Sequence, residues 1–168
     1  MKKKILTAAI LSALMIGQIS LFAQNAENKT ATSESKEWKS QISEKDWLSD
    51  KAISIKDGAF GFVDNPEKKY GWIESKEKFP FSQNAEFCID FKSIKGCSVT
   101  LQLQIFNENK KFIGAVEILK DLKESGIKNI TFQSITVDPK TAFVNFKIWM
   151  KSGNQGANVE IKELIYKY

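Results

Sequence analysis

The 168-residue sequence contains no arginine and no histidine, and only two cysteines and three prolines. All 25 of its basic residues are lysine. Without histidine there is no Ser-His-Asp or Cys-His catalysis and no imidazole metal site. Without arginine there is no bidentate guanidinium clamp on phosphate. Two cysteines do not make a metal site, and no glycine-rich phosphate cradle is present. Dense blocks of one charge are also missing from the body of the chain. Lysines alternate there with the 20 acidic residues, whereas a nucleic-acid surface needs a clustered positive face.

A long apolar run occurs once. Lys2, Lys3 and Lys4 precede an apolar stretch over 5–23, broken by Thr7, Ser12, Gln18 and Ser20. The sequence turns polar at Gln24. This pattern predicts a secretory signal peptide over 1–23, cut after Ala23, and hence a secreted or periplasmic protein with no membrane attachment after cleavage. A retained anchor is the alternative, and a span needs about 20 apolar residues. No cysteine follows the run to carry a lipid. Removing three lysines lowers the formal charge from +5 to +2, so the pI near 9.1 overstates the basicity of the processed chain. Residues 24–37, QNAENKTATSESKE, have no hydrophobic period and read as a disordered linker. The domain is expected over 38–168, long enough for one core.

That domain reads as strands nearly throughout. Short apolar runs at 52–55, 59–63, 70–74, 85–91, 98–106, 112–119, 127–135, 142–150 and 158–166 are separated by turn chemistry such as Asp57-Gly58 and Asp64-Asn65-Pro66. Residues 117–124 read as one or two helical turns. The spacing predicts an all-β, antiparallel β-sandwich or barrel. In 98–106 the alternation puts Val99, Leu101, Leu103 and Ile105 on one face and Thr100, Gln102 and Gln104 on the other. In 142–150 it turns Val144, Phe146, Ile148 and Met150 inward, and Phe143, Asn145, Lys147 and Trp149 outward. Two outward aromatics are unusual on a wet sheet face.

The order of segments from Leu101 onward carries a resemblance. Strand 101–106 is followed by Asn107-Glu108-Asn109 and Phe112-Ile113-Gly114. Later come the polar stretch 130–137 (ITFQSITV), Asp138-Pro139-Lys140-Thr141-Ala142, the alternating strand to Met150, the loop Ser152-Gly153-Asn154-Gln155-Gly156 and the closing strand 158–166. This order resembles carbohydrate-binding modules of the galactose-binding-like jelly-roll fold. The resemblance implies a jelly-roll sandwich that binds a polysaccharide or glycan without catalysis. Such modules often hold a structural calcium through an acidic pair in the last strand. Here Lys162 and Glu163 stand near those positions, and an ammonium is a poor neighbour for a calcium ion that wants oxygen ligands. No metal and no cofactor is therefore expected.

Sugar binding needs flat apolar surface for pyranose C–H faces and a few fixed polar groups for the hydroxyls. Trp149, Phe143 and Asn145, with Gln102 and Gln104, fit that chemistry, and Tyr70 and Trp72 share a face of another strand. Each also has a plainer reading: Tyr70 and Trp72 as core, Trp149 as an edge cover, the glutamines as wetted surface. Trp38 and Trp47 read as a packing plug at the entrance to the domain. Glu74, Glu86, Asp90 and Glu160 are the candidate carboxylates for acid–base chemistry. Cys88 has outward parity and Cys97 inward parity, so a disulfide requires Cys97 to lie in a turn. The reading that results is an exported, non-catalytic carbohydrate-binding domain. Its rivals are an exported structural or adhesion sandwich with a protein partner, and a small glycan-active enzyme.

Overall fold

A computed structural model describes residues 35–63, 69–152 and 156–168. The expected leader, most of the linker, the Asp64-Asn65-Pro66 turn and the centre of the 152–156 loop lie outside the described residues. The strands, in chain order, are β1 (Glu37–Ser40), β2 (Trp47–Ser49), β3 (Ile53–Lys56), β4 (Ala59–Phe62), β5 (Tyr70–Ser75) and β6 (Phe79–Pro80). They continue with β7 (Glu86–Lys95), β8 (Cys97–Phe106), β9 (Phe112–Leu122), β10 (Gly126–Thr131), β11 (Phe143–Ser152) and β12 (Asn158–Lys167).

All pairings are antiparallel and form two sheets. The first runs β10-β7-β12-β4-β3, with β1 also on β12. The second runs β2-β5-β11-β8-β9, with β6 also on β11. The chain changes sheet at every step except β3 to β4, β5 to β6 and β8 to β9. This is the jelly-roll manner of building a sandwich, as the sequence predicts. Asp57 (φ 48°) and Gly58 (φ 81°) form the two-residue link between the paired Lys56 and Ala59. Two left-handed residues give the turn whose twist suits a tight hairpin.

The core lies between the sheets. Phe87, Ile89 and Phe91 of β7 with Val159, Ile161, Leu164 and Tyr166 of β12 face Leu101, Leu103, Val144, Phe146, Ile148 and Met150 of the other sheet, all buried. One end is aromatic. Phe87 stacks on Phe146 with centroids 4.2 Å apart, and Phe146 meets Tyr166 edge-on at 5.3 Å. The Tyr166 hydroxyl donates to the Pro80 carbonyl at 3.0 Å, which satisfies its one polar atom inside that cluster. Trp38 stacks on Phe146 and Trp47 is buried with its Nε1–H donating to Ser40 Oγ at 3.2 Å, so both tryptophans plug the core. Lys36 and Tyr168 exchange backbone hydrogen bonds, so pairing begins two residues before position 38.

Three local expectations change. Residues 117–122 belong to β9 rather than to helical turns. Val116, Leu119 and Leu122 are three apart but lie opposite Leu103, Leu101 and Val99, which are two apart. Bulges supply the extra residues, and the resulting apolar spacing imitates a helical period. The expected strand 127–135 ends at Thr131, and Phe132–Ser134 form a single 3-10 turn that drops Phe132 into the core. Strands β1, β2 and β6 carry no apolar run of their own, so the sequence pattern does not mark them. Cys88 and Cys97 are free thiols, one on the outer side of β7 and the other against the core from β8. Burial pushes the Cys97 thiol up to about 11 and the Cys88 thiol up to a lesser extent.

Candidate functional site

The two sheets turn different outer faces to solvent. The face of the β12 sheet carries ion pairs: Lys39–Glu37 at 3.0 Å, Lys92–Glu160 at 2.9 Å, Lys162–Asp90 at 3.8 Å and Lys167–Glu37 at 3.7 Å. That is an ordinary solvated face. The face of the β11 sheet is aromatic and amide-rich, and its residues are aligned by strand register into cross-strand rows.

Along β11 these rows follow one another every second residue. Lys151 lies opposite Tyr70, with its Nζ 5.7 Å from the ring centroid. Trp149 lies directly opposite Trp72 on one side and Thr100 on the other. The next row crosses the whole sheet: Leu48, Glu74, Lys147, Gln102 and Glu117. Asn145, Gln104 and Ala115 follow, and then Phe143, Phe106 and Phe112. Rows two residues apart are about 6.8 Å apart along a strand.

Lys147 ties the centre together. Its ammonium is 3.9 Å from the Trp72 centroid, 4.8 Å from that of Trp149 and 3.3 Å from Glu74 Oε2. Asn145 Nδ2 donates to Glu74 Oε1 at 3.0 Å and to the Ser75 carbonyl at 3.3 Å. Both oxygens of Glu74 are thus engaged. Trp149 Nε1–H donates to Gln102 Oε1 at 3.3 Å, which fixes the indole against the glutamine. The far row is overhung by two loop lysines. Lys78 Nζ is 4.0 Å from the Phe106 centroid and Lys110 Nζ 5.3 Å from that of Phe143. Lys110 is left-handed (φ 57°) in a loop where Asn107 Oδ1 accepts the N–H groups of Asn109 and Lys111.

The structure brings Trp149, Phe143, Asn145, Gln102, Gln104, Trp72 and Tyr70 onto this one face. Tyr70 is exposed and Trp72 half-buried, so neither is core. Asn145 departs from the sequence reading. It points to this side but is only 2% exposed, held beneath Glu74 and the end of β5 rather than open to water. Among the described residues, three of the five exposed large hydrophobics, Leu48, Tyr70 and Phe112, belong to this face. Sequence reasoning placed Glu74 among carboxylates but not beside the tryptophans, although the alternation from Tyr70 and Trp72 carries that signal. Lys78 and Lys110 come from loops, where no periodicity marks them. Glu86, Asp90 and Glu160 lie on the opposite sheet. Lys162, near the expected calcium position, pairs there with Asp90.

No protein-family model matches the chain, and no curated protein matches it. Among solved structures it is similar to CBM86, a low-affinity xylan binding module from the gut symbiont Roseburia intestinalis. The identity is 14% and the TM-score 0.46, over 79% of this chain and 93% of that one. A glycosylation associate protein complex from Streptococcus agalactiae aligns at 10% identity and TM-score 0.46, over 78% of this chain and 25% of that one. A structure from the carbohydrate-binding modules of the beta-sandwich superfamily aligns at 8% identity and TM-score 0.34, over 79% of this chain and 54% of that one. What this face can bind is set by its own side chains.

Proposed function

We propose that the chain is an exported, non-catalytic domain that binds carbohydrate on the solvent face of the β2-β5-β11-β8-β9 sheet. The observation that carries this reading is the direct pairing of Trp72 and Trp149 across β5 and β11, on a face flanked by Glu74, Lys147, Gln102 and Gln104. Pyranose C–H faces pack on indole rings, and fixed amide, carboxylate and ammonium groups meet the hydroxyls. Trp72, Trp149 and Tyr70 supply the ring surface, with Phe143 at the far end. Gln102 and Gln104 supply hydrogen bonds. Asn145 orients Glu74 from below and is a positioning residue. The spacing of carboxylates supports binding over catalysis. Glycoside hydrolysis uses two carboxylates about 5–9.5 Å apart. Glu74 and Glu117 share a row but are three strand spacings apart, about 14 Å.

Polysaccharide pull-down and thermal melting of Trp72→Ala and Trp149→Ala test this reading together. Both indoles are half-buried outside the core, so each change should cost no more than about 1.5 kcal/mol. Glycan retention should be lost. A panel of insoluble polysaccharides and a glycan array that both fail to retain the wild-type chain would overturn the proposal, as would full retention by a folded double mutant.

A further inference from the structure

We infer that the glycan this face takes is acidic, a polysaccharide of uronate units whose ring carboxylates meet the face's lysines. The inference rests on the glycan-binding reading above and specifies its ligand class.

Every ammonium–ring contact among the described residues falls on this face: Lys78 on Phe106, Lys110 on Phe143, Lys147 on Trp72 and Trp149, and Lys151 on Tyr70. On the opposite sheet four lysines, Lys39, Lys92, Lys162 and Lys167, pair with carboxylates instead, and none of that sheet's described lysines lies over a ring. On the aromatic face Lys147 has Glu74, and Lys120 at the edge has Glu117 at 3.4 Å. Lys78, Lys110 and Lys151 have no ion-pair partner among the described residues. A ring attracts an ammonium but does not cancel its charge, so both ends of the face stay positive.

Two of these charges are held at one end. Lys78 Nζ donates to the Lys110 backbone carbonyl at 3.2 Å, while the two ammoniums cover the paired rings of Phe106 and Phe143. Two ammoniums at one pair of rings, neither in an ion pair among the described residues, favour an anion at that end.

The ring contacts also discriminate between sugars. A sugar that stacks on Tyr70 or Phe143 must move the lysine lying over that ring. A neutral sugar takes the ring and offers the displaced ammonium only neutral hydroxyl oxygens as acceptors. A uronate offers a carboxylate at the edge of the same ring, and a charge-assisted hydrogen bond replaces the lost contact. Its carboxylate extends from the ring rim and leaves the C–H face flat, and it is part of every unit of such a chain, so each stacked ring brings its own anion.

The test is calorimetric titration of the processed chain with galacturonate, mannuronate and glucuronate oligosaccharides, each beside its methyl ester. The ester keeps the backbone and removes the charge. At low salt the best uronate should bind about tenfold more tightly than its ester, the size expected from two or three exposed charge contacts. The advantage should shrink as salt rises. A triple Lys78→Gln, Lys110→Gln, Lys151→Gln variant that melts as wild type should lose it. Equal affinity for acid and ester would overturn this inference and leave the glycan-binding reading standing. Preference for a sulfated neutral backbone over every uronate would overturn the choice of carboxylate. No binding to any sugar on this panel would overturn the inference while the glycan-binding reading still stood on the polysaccharide pull-down, and binding to polyglutamate as tight as to any uronate would overturn both.

Discussion

At the scale of single residues, Glu74 holds the centre of the aromatic face. Its carboxylate accepts from the Asn145 amide and pairs with Lys147, whose side chain is only 12% exposed. Glu74→Ala strands both groups in poorly hydrated positions, and we expect a loss of about 1–3 kcal/mol in urea unfolding. Glu74→Gln keeps an acceptor for Asn145 and should lose less. Cys97 gives a pH signature. Burial raises its thiol to about 11, above its unfolded value. The protonated thiol is favoured in the folded state, so its contribution to stability is full below the unfolded pKa and is lost as pH rises through the folded one. Stability should therefore fall between about pH 9 and pH 11. In Cys97→Ala, measured by chemical denaturation, this part of the slope should be absent. The same burial makes Cys97 slow toward thiol reagents at pH 8 until the chain is unfolded.

At the scale of elements, β5 can carry its aromatic residues outward because Gly71 stands between them. A Cβ on Gly71 would meet Ile53 Cδ1 and Cγ1 at 2.5 Å, and the Phe62 ring is close behind at 3.3 Å. The missing side chain lets β3 of the other sheet approach β5. Gly71→Ala should cost about 1–3 kcal/mol through overpacking. It should also weaken glycan retention more than melting alone explains, because it tilts the strand bearing Tyr70 and Trp72. A change in melting temperature with full retention at 10 °C would separate packing from presentation. The β9 strand shows how an element can mislead a sequence reading. Its bulges space Val116, Leu119 and Leu122 like a helix, and only the partner strand reveals that they are strand residues.

At the scale of the whole molecule, two expectations can be checked on exported material. The polar break after Ala23 predicts an N-terminus at Gln24, and intact mass after expression with secretion reads it directly. A membrane-bound product retaining Met1 would contradict this. Lys162 lies against Asp90 on the last strand at 3.8 Å, so no calcium is expected to support the fold from there. Chelation should then move the melting temperature by less than about 2 °C, since loss of a tightly held ion shifts it by several degrees.

The sequence by itself determined the fold class and, in the regular strands β8 and β11, the facing of the side chains. Those follow from a period of two imposed by the backbone, which Val144 to Met150 and Val99 to Ile105 display without interruption. It also singled out seven side chains that the structure brings to one face, four of them aromatic, because an outward aromatic in an alternating strand stands out against the usual charged surface. The tertiary structure alone decided which strands are neighbours. Strand order places Trp72 beside Trp149, 77 positions apart in the chain, and sends Asp90 and Glu160 to the opposite face. It decided that Asn145 is buried, since its cover comes from the end of β5. It also set Lys78 and Lys110 over phenyl rings from loops with no period of their own. Alternation is a local property of one strand, whereas convergence depends on pairing partners that local pattern does not specify.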